Sequence, residues 1–197
     1  VPPDWPFRRG EHLVIGAVGR MQAVKDPLNL VDAFLRLREQ CPAEWPRLRL
    51  VMLGAGALLA SARQRLADAG AAEQAWLPGD RSDVAQLLPH VDIFALPSQA
   101  EGISNTLLEA MACGCAPVAT AVGGNPELIE PESNGLLVPA QQAGALAEAL
   151  ARLVRDAELR RRLAQASLAR VREQFSLDRM VAAYGRLYAG GILRTGG

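Results

Sequence analysis

Six short apolar runs, each bounded by glycine, proline or polar residues, divide the first 140 residues of the chain. The runs cover residues 12–19, 48–53, 75–79, 91–96, 116–119 and 135–138. They are short for helices and have no polar face, which is typical of strands that are covered on both sides. The pattern therefore predicts six buried, parallel strands.

Segments with apolar residues at helical spacing lie between and after these runs. The first begins at Asp26, a candidate N-cap with Pro27 in the first turn, and the second follows Gly54-Ala55-Gly56 and runs to about Asp68. The others cover 84–88, the stretch after 101, 125–129, 141–155, 157–173 and 177–189. Strands that alternate with helices predict an α/β fold, a Rossmann-like three-layer sandwich with a six-stranded, mostly parallel sheet and a helical C-terminal tail. Such sheets bind ligands at the carboxyl ends of their strands.

Composition limits the classes of protein to which the chain can belong. Its 197 residues are enough for one α/β domain and few for two. The 21 Lys and Arg residues balance the 21 Asp and Glu residues, so we expect no nucleic-acid partner. No apolar run approaches the roughly 18 residues of a membrane span. The three cysteines are odd in number and no signal peptide is apparent, which favours a reducing, cytoplasmic location.

The two ends of the chain differ from its centre. Residues 1–11 begin with Val1 rather than methionine and are rich in proline, so we expect a connector that leads from a segment upstream. Residues 176–197 are predicted to form a last helix and a glycine-rich tail that frays. We therefore expect a single ligand-binding domain over residues 1–197, with a partner domain outside this chain.

The loop after the first run carries Gly19, Arg20 and Lys25. This arrangement suits a diphosphate, because glycine lets the backbone approach a ligand, arginine binds two phosphate oxygens at once, and lysine adds a point charge. Both cations also have an ordinary interpretation, as solvated loop residues or as a partner of Glu109. From this loop alone, the two interpretations stay open.

A second glycine-rich turn, Gly54-Ala55-Gly56, follows the second run. The dinucleotide pattern G-x-G-x-x-G fails here, because Leu59 stands at the position of the last glycine. The turn is either a tight connection between a strand and a helix or a place where backbone clears a ligand, and the packing role is favoured.

The stretch from Glu101 to Glu109 is the strongest candidate for a site. Gly102 permits a sharp turn into a helix, and free amides near its start would attract phosphate. These amides belong to residues near Ile103, Ser104, Asn105 and Thr106. Glu109 has no Lys or Arg three or four residues away, so it needs a distant base, a water-filled cleft or a ligand rich in hydroxyls. At about 1.5 Å of rise per residue, the two acids lie of order 10 Å apart, which spans a nucleotide sugar. The alternative for Glu101 is an exposed loop acid. The alternative for Glu109 is a buried carboxylate paired with a distant arginine.

Other residues that could carry chemistry have weaker patterns. His12 and His90 lack the spacing of metal ligands, and Cys113 and Cys115 are too close for a C-x-x-C motif, so we expect no metal site. Arg81 stands where the loop after the third strand could meet a nucleobase, or it is simply solvated. The basic run comprises Arg155, Arg160, Arg161 and Arg162. It is typical of a solvated face, with attraction to anionic lipid or to a missing domain as the minority interpretation.

Together these motifs resemble the C-terminal, donor-binding domain of the retaining, family-4-type glycosyltransferases of the GT-B fold. The motifs are Val18-Gly19-Arg20 with Lys25, Val51 to Gly56, Ala95 to Ser98 with Glu101-Gly102, Leu107 to Gly114, Pro117 to Glu127, and Asn134 to Val138. The resemblance implies that Arg20 and Lys25 bind the donor diphosphate, that Glu101 lies near the transferred sugar, and that Glu109 binds the ribose. It also implies a nucleotide-sugar substrate, no bound cofactor, and frequent service in polysaccharide or cell-envelope glycan synthesis.

One part of the family pattern has no counterpart in these residues. The acceptor-binding N-terminal domain is absent, so we expect the chain alone not to catalyse transfer and the longer protein to contact the inner face of a membrane at most peripherally. Two alternatives stay open, a dinucleotide-binding domain of an oxidoreductase and a docking domain of the same fold without catalysis. The dinucleotide alternative needs a third glycine and an acidic residue at the end of the second strand, where Met52-Leu53-Gly54 stands instead.

Overall fold

The structure, a computed structural model, describes residues 2–8 and 10–175. Its strands are β1 (Leu13–Val18), β2 (Leu48–Leu53), β3 (Ala75–Gly79), β4 (Ile93–Leu96), β5 (Ala116–Thr120) and β6 (Leu136–Val138). They form one sheet in the order β3-β2-β1-β4-β5-β6, in which every pairing is parallel. The prediction of six parallel strands is confirmed. The strand order reverses between β1 and β4, and loops at the carboxyl ends of the two strands form a crevice at such a switch point.

Seven α-helices occur in the described part of the chain. They are α1 (Pro27–Gln40), α2 (Leu59–Asp68), α3 (Val84–Leu87), α4 (Asn105–Ala112), α5 (Asn125–Leu128), α6 (Ala143–Arg155) and α7 (Ala157–Gln174). The helix predicted at 177–189 and the tail predicted at 176–197 lie outside the described residues. Asp26 does precede α1, but its backbone is left-handed (φ 48°) and its side chain makes no capping hydrogen bond. Pro27, which has no amide hydrogen to satisfy, starts the helix instead.

The sheet has an apolar core on each face. Along β1, Leu13 and Ile15 belong to the core beneath α1, α2 and α6, whereas Val14 belongs to the core beneath α3 and α4. Successive side chains of a strand point to opposite faces, so a continuous apolar run supplies both cores at once. This arrangement gives the three layers that the sequence predicts.

The segment before β1 is packed against the domain. Phe7 is buried, and the ring of Trp5 lies edge-on to the ring of Trp76 on β3, with 5.5 Å between their centroids. Trp5 also contacts the rings of Phe7 and His90. The described part of the predicted connector 1–11 therefore packs on the domain through Trp5 and Phe7.

Candidate ligand site at the carboxyl edge of the sheet

Three loops meet where β1, β2 and β3 end. The amide of Gly19 donates to the carbonyl of Leu53 (2.9 Å), and the amide of Gly54 donates to the carbonyl of Gly79 (2.8 Å). A cavity of about 420 Å³ opens between the loops. Its walls include Gly19, Arg20, Gly54, Ala55, Asp80 and Arg81. Four residues that the sequence names as candidates for ligand binding, Gly19, Arg20, Gly54 and Arg81, therefore line one cavity.

Gly54 is required by the close approach of two loops. Its φ is +135°, and a Cβ placed there would lie 2.1 Å from the carbonyl oxygen of Gly19. The clearance is thus against the neighbouring backbone, which agrees with the packing interpretation of this turn. Because that approach also shapes the cavity wall, Gly54 contributes to the site through backbone geometry.

Lys25 and Glu101 form a shielded ion pair beside this cavity. The Nζ atom of Lys25 donates to Oε1 of Glu101 at 2.6 Å, and the Oγ atom of Ser98 donates to the same oxygen at 2.6 Å. The Glu101 side chain is only 7% exposed, whereas that of Lys25 is 27% exposed. The exposed loop acid considered for Glu101 is therefore wrong, and the suggestion that a loop cation neutralises Glu109 does not hold for Lys25.

A series of hydrogen bonds links Glu101, through Ser98, to buried polar residues at and after the end of β5. The Oγ1 atom of Thr120, at the end of β5, donates to the carbonyl of Ser98 at 2.6 Å, and Nδ2 of Asn125 donates to the carbonyl of Thr120 at 2.9 Å. Ser98, Thr120 and Asn125 are fully buried. Sequence reasoning missed all three, although polar residues directly after the apolar runs of β4 and β5 are a signal that could have located them.

Arg20 differs from Lys25 in having its charge available. Its side chain is exposed and makes no hydrogen bond or ion pair with any residue from 2–8 or 10–175. Arg20 lines the 420 Å³ cavity and also a smaller pocket that extends to Lys25 and Ser98. The two cations that the sequence groups together thus flank one surface, one free and one neutralised.

The helix after β4 begins later than the sequence suggests. Ser104 is the N-cap of α4, and its Oγ accepts from the amide of Leu107 at 3.3 Å. The amides of Asn105 and Thr106 are in the first turn and have no backbone acceptor among the described residues. Ile103 precedes the helix and exposes 56% of its surface. Because α4 starts at Asn105 rather than near Ile103, the free amides of its first turn are those of Asn105 and Thr106.

Glu109 lies on the exposed side of α4. It makes no ion pair with any cation in the described ranges, so the distant arginine considered as its partner is not found there. The apolar character of the segment comes instead from Leu107, Ala110 and Met111, which face the core. Glu109 stands one helical turn from the free amides, on a surface that water or a ligand can reach.

Arg81 is held by two carboxylates rather than solvated. Its Nε and Nη2 atoms donate to Asp83 at 2.8 and 2.6 Å, and its Nη1 and Nη2 atoms donate to Asp4. The guanidinium also lies 5.5 Å from the ring centroid of Trp76. Hydrogen bonds to the two acids raise the pKa of Arg81 above its usual range, and the same bonds lower the pKa of Asp4 and of Asp83. Arg81 remains at the cavity wall, but its donors are engaged.

The weaker candidates lie away from this edge. His12 and His90 line a second cavity, of about 450 Å³, at the opposite edge of the sheet, together with Arg160 and Arg161. Arg160 is not part of a solvated face, because it donates to the carbonyls of Leu153 and Val154 at the end of α6, and burial lowers its pKa.

Two further findings concern metals and membranes. Within the described residues, no three His, Cys, Asp or Glu side chains are grouped as a metal site would need. In the same part of the chain, no helix combines the length and the apolar character needed to cross a membrane.

The fold and the polar edge define a doubly wound α/β domain with a candidate ligand site at the carboxyl edge of its sheet, beside the switch point. A model of the family described as glycosyl transferases group 1 matches residues 6–170, and the chain belongs to this family. It is 36% identical over 183 residues to a D-inositol 3-phosphate glycosyltransferase of Stackebrandtia nassauensis. The aligned region covers 88% of this chain and 41% of that protein.

Solved structures agree with the fold. The C-terminal domain of a group 1 family glycosyl transferase, LpcC of Francisella tularensis, superposes with a TM-score of 0.77 at 26% identity, covering 84% of this chain and 87% of that domain. HepE of Anabaena in complex with UDP superposes with a TM-score of 0.82 at 24% identity, covering 91% of this chain and 49% of HepE. The chain thus spans about half the length of the full-length relatives that it matches.

Proposed function

We propose that this chain is the donor-binding half of a retaining glycosyltransferase, which transfers a sugar from a nucleoside-diphosphate sugar to an acceptor hydroxyl. The observation that carries the proposal is the free guanidinium of Arg20, on the wall of a 420 Å³ cavity at the edge where α4 begins with two unpaired amides. A nucleoside diphosphate needs such a combination of a cavity and an adjacent anion site. Family membership and the UDP bound to HepE support the same assignment.

The proposed ligand lies across the edge of the sheet. The nucleoside occupies the cavity beside Gly54, and the diphosphate contacts Arg20 and the amides of Asn105 and Thr106. Glu109, exposed one turn further along α4, accepts hydrogen bonds from the ribose hydroxyls. The sugar then points towards Glu101, whose Oε1 is held by Lys25 and Ser98.

Charge stabilisation of the leaving group is the chemistry we propose for these residues. Negative charge grows on the diphosphate as the glycosidic bond breaks, and the free guanidinium of Arg20 and the start of α4 place positive charge at that point, while Lys25 holds Glu101 beside it. These groups can supply the charge that a metal ion would otherwise provide, and we expect no metal. The acceptor hydroxyl attacks from the face that the diphosphate leaves and gives its proton to the departing diphosphate oxygen, so the configuration of the sugar is retained.

The partner domain and the cellular role follow from the same proposal. A preceding acceptor-binding domain, in a longer protein, would close over the edge of the sheet and supply the acceptor. We propose that the whole enzyme acts in polysaccharide or cell-envelope glycan synthesis at the cytoplasmic side of the membrane. The resemblance of the stretch from Glu101 to Thr106 to enzymes of that kind supports this role.

Binding calorimetry with UDP, GDP and ADP tests the proposal. We expect one of the three to bind and NADH to bind more weakly. Glu109→Gln should weaken that binding by about tenfold or more, because a hydrogen bond to a charged group contributes roughly 1.5–3 kcal/mol. Glu148→Gln is the matched control, since Glu148 is an exposed glutamate on α6, far along the chain from the site. Failure of all three nucleotides to bind, or equal losses in both variants, would contradict the proposal.

A further inference from the structure

Arg81 binds two carboxylates, although one is enough to hold its guanidinium at the cavity wall. Asp83 takes Nε and Nη2 in a two-point contact, which already fixes the guanidinium plane. Asp4 takes the other edge, through Nη1 and Nη2. The cluster of Arg81, Asp83 and Asp4 therefore carries one negative charge in excess, at the wall of the cavity proposed for the nucleoside.

The second carboxylate comes from a different part of the chain. Asp4 belongs to the predicted connector 1–11. Its side chain is 52% exposed, whereas that of Asp83 is 23% exposed. The neighbouring Trp5 packs on Trp76, the same ring that the Arg81 guanidinium lies against. The connector and the cavity wall thus meet on one aromatic residue, and the docking of the connector brings Asp4 to Arg81.

An exposed ion pair of this kind adds little to folding stability. The pair does change which donors of Arg81 a ligand can use, because Asp4 occupies the donors on the edge of the guanidinium that Asp83 leaves free. Those N–H groups are of the type that binds the carbonyl oxygens of a nucleobase or the oxygens of a phosphate. While Asp4 is docked, they are not available to a ligand in the cavity.

We infer that Asp4 is a positioning residue that masks Arg81, so that the docked connector lowers the affinity of the cavity for a nucleotide. The inference rests on the proposed function. Removal of the Asp4 charge replaces two charge-assisted hydrogen bonds by at most a weaker neutral one, while Asp83 keeps Arg81 at the cavity wall. A ligand that uses Arg81 then competes with Asp4, and the position of the connector and nucleotide binding are coupled.

Calorimetry on Asp4→Asn with UDP, GDP and ADP tests the inference. We expect the nucleotide that binds the parent chain to bind this variant roughly three- to tenfold more tightly, the net effect of one hydrogen bond released from competition. The control is Glu11→Gln, which removes a carboxylate that pairs with exposed Arg8 at 3.6 Å before β1. Its affinity should equal that of the parent.

A double-mutant cycle separates masking from a general change of charge. In the Arg81→Gln background, Asp4→Asn should leave the affinity unchanged, and thermal unfolding shows whether each variant is folded. The inference is overturned if Asp4→Asn is folded and binds no more tightly than the parent, or if its gain persists without Arg81. If no nucleotide binds the parent or Asp4→Asn, the proposed function fails and the inference falls with it.

Discussion

The ion pair between Lys25 and Glu101 gives a prediction that can be worked from the structure. Lys25→Met removes the cation and leaves the Glu101 carboxylate, 7% exposed, with the Ser98 hydroxyl as its remaining partner in the described residues. Breaking a buried pair in this way costs about 3–5 kcal/mol. Lys25 is 27% exposed, so water can reach part of the site, and we reduce the expected cost to about 2 kcal/mol. For a domain of this size, that corresponds to a fall of about 4–8 °C in the midpoint of thermal unfolding.

The assay is thermal and urea unfolding of Lys25→Met, Glu101→Gln and the double variant. Glu101→Gln should cost less than Lys25→Met, because the lysine that remains can extend into water. The double variant should recover most of the loss, since it leaves no buried charge.

A surface pair provides the comparison. Arg65 and Asp32 are 43% and 39% exposed, and Arg65→Met should cost less than about 1 kcal/mol. The reasoning is refuted if Lys25→Met unfolds at the temperature of the parent chain, or if the double variant is as unstable as Lys25→Met.

Three further predictions concern separate features. Arg20→Ala should unfold like the parent but lose at least about tenfold in nucleotide affinity by calorimetry, whereas exposed Arg36→Ala on α1 should change neither. In urea titrations, Gly54→Ala should lower the free energy of unfolding by about 1–3 kcal/mol, because the new Cβ clashes with the Gly19 carbonyl. Gly144→Ala has open space around its Cβ and should raise the free energy of unfolding by up to about 1 kcal/mol. Iodoacetamide at pH 8 should modify Cys113 before the buried cysteines. The reaction should be slower than with a free thiol, because burial and Glu109 raise the pKa of Cys113. Mass spectrometry that finds another cysteine modified first would contradict this.

The sequence predicts the sheet well because burial on two faces leaves a direct trace. A strand such as β1 must supply apolar side chains to both cores, so the run from Leu13 to Val18 has no polar position and ends where the loop begins. The helices of the C-terminal part are predicted for the same kind of reason, since α6 repeats buried leucines at helical spacing. Local periodicity is enough for these elements.

The site is predicted less completely because it depends on contacts between distant segments. The partner of Lys25 is 76 residues away, and that of Arg81 in the connector is 77 residues away. The sequence predicts that Glu109 meets a distant base, a water-filled cleft or a ligand, and it does not choose among them. In the structure the helix turns Glu109 outward, because apolar neighbours at Leu107, Ala110 and Met111 define the buried side. Side-chain partners between loops follow from the fold, and no spacing rule encodes them.

The central claim is that a nucleoside diphosphate lies at the carboxyl edge of the sheet. A crystal structure of the chain with the nucleotide that binds it tests this claim most directly. We expect the base in the cavity beside Gly54 and the phosphates within hydrogen-bonding distance of Arg20 and of the amides of Asn105 and Thr106. A nucleotide bound instead in the opposite cavity beside His12, or with its phosphates remote from the start of α4, would contradict it.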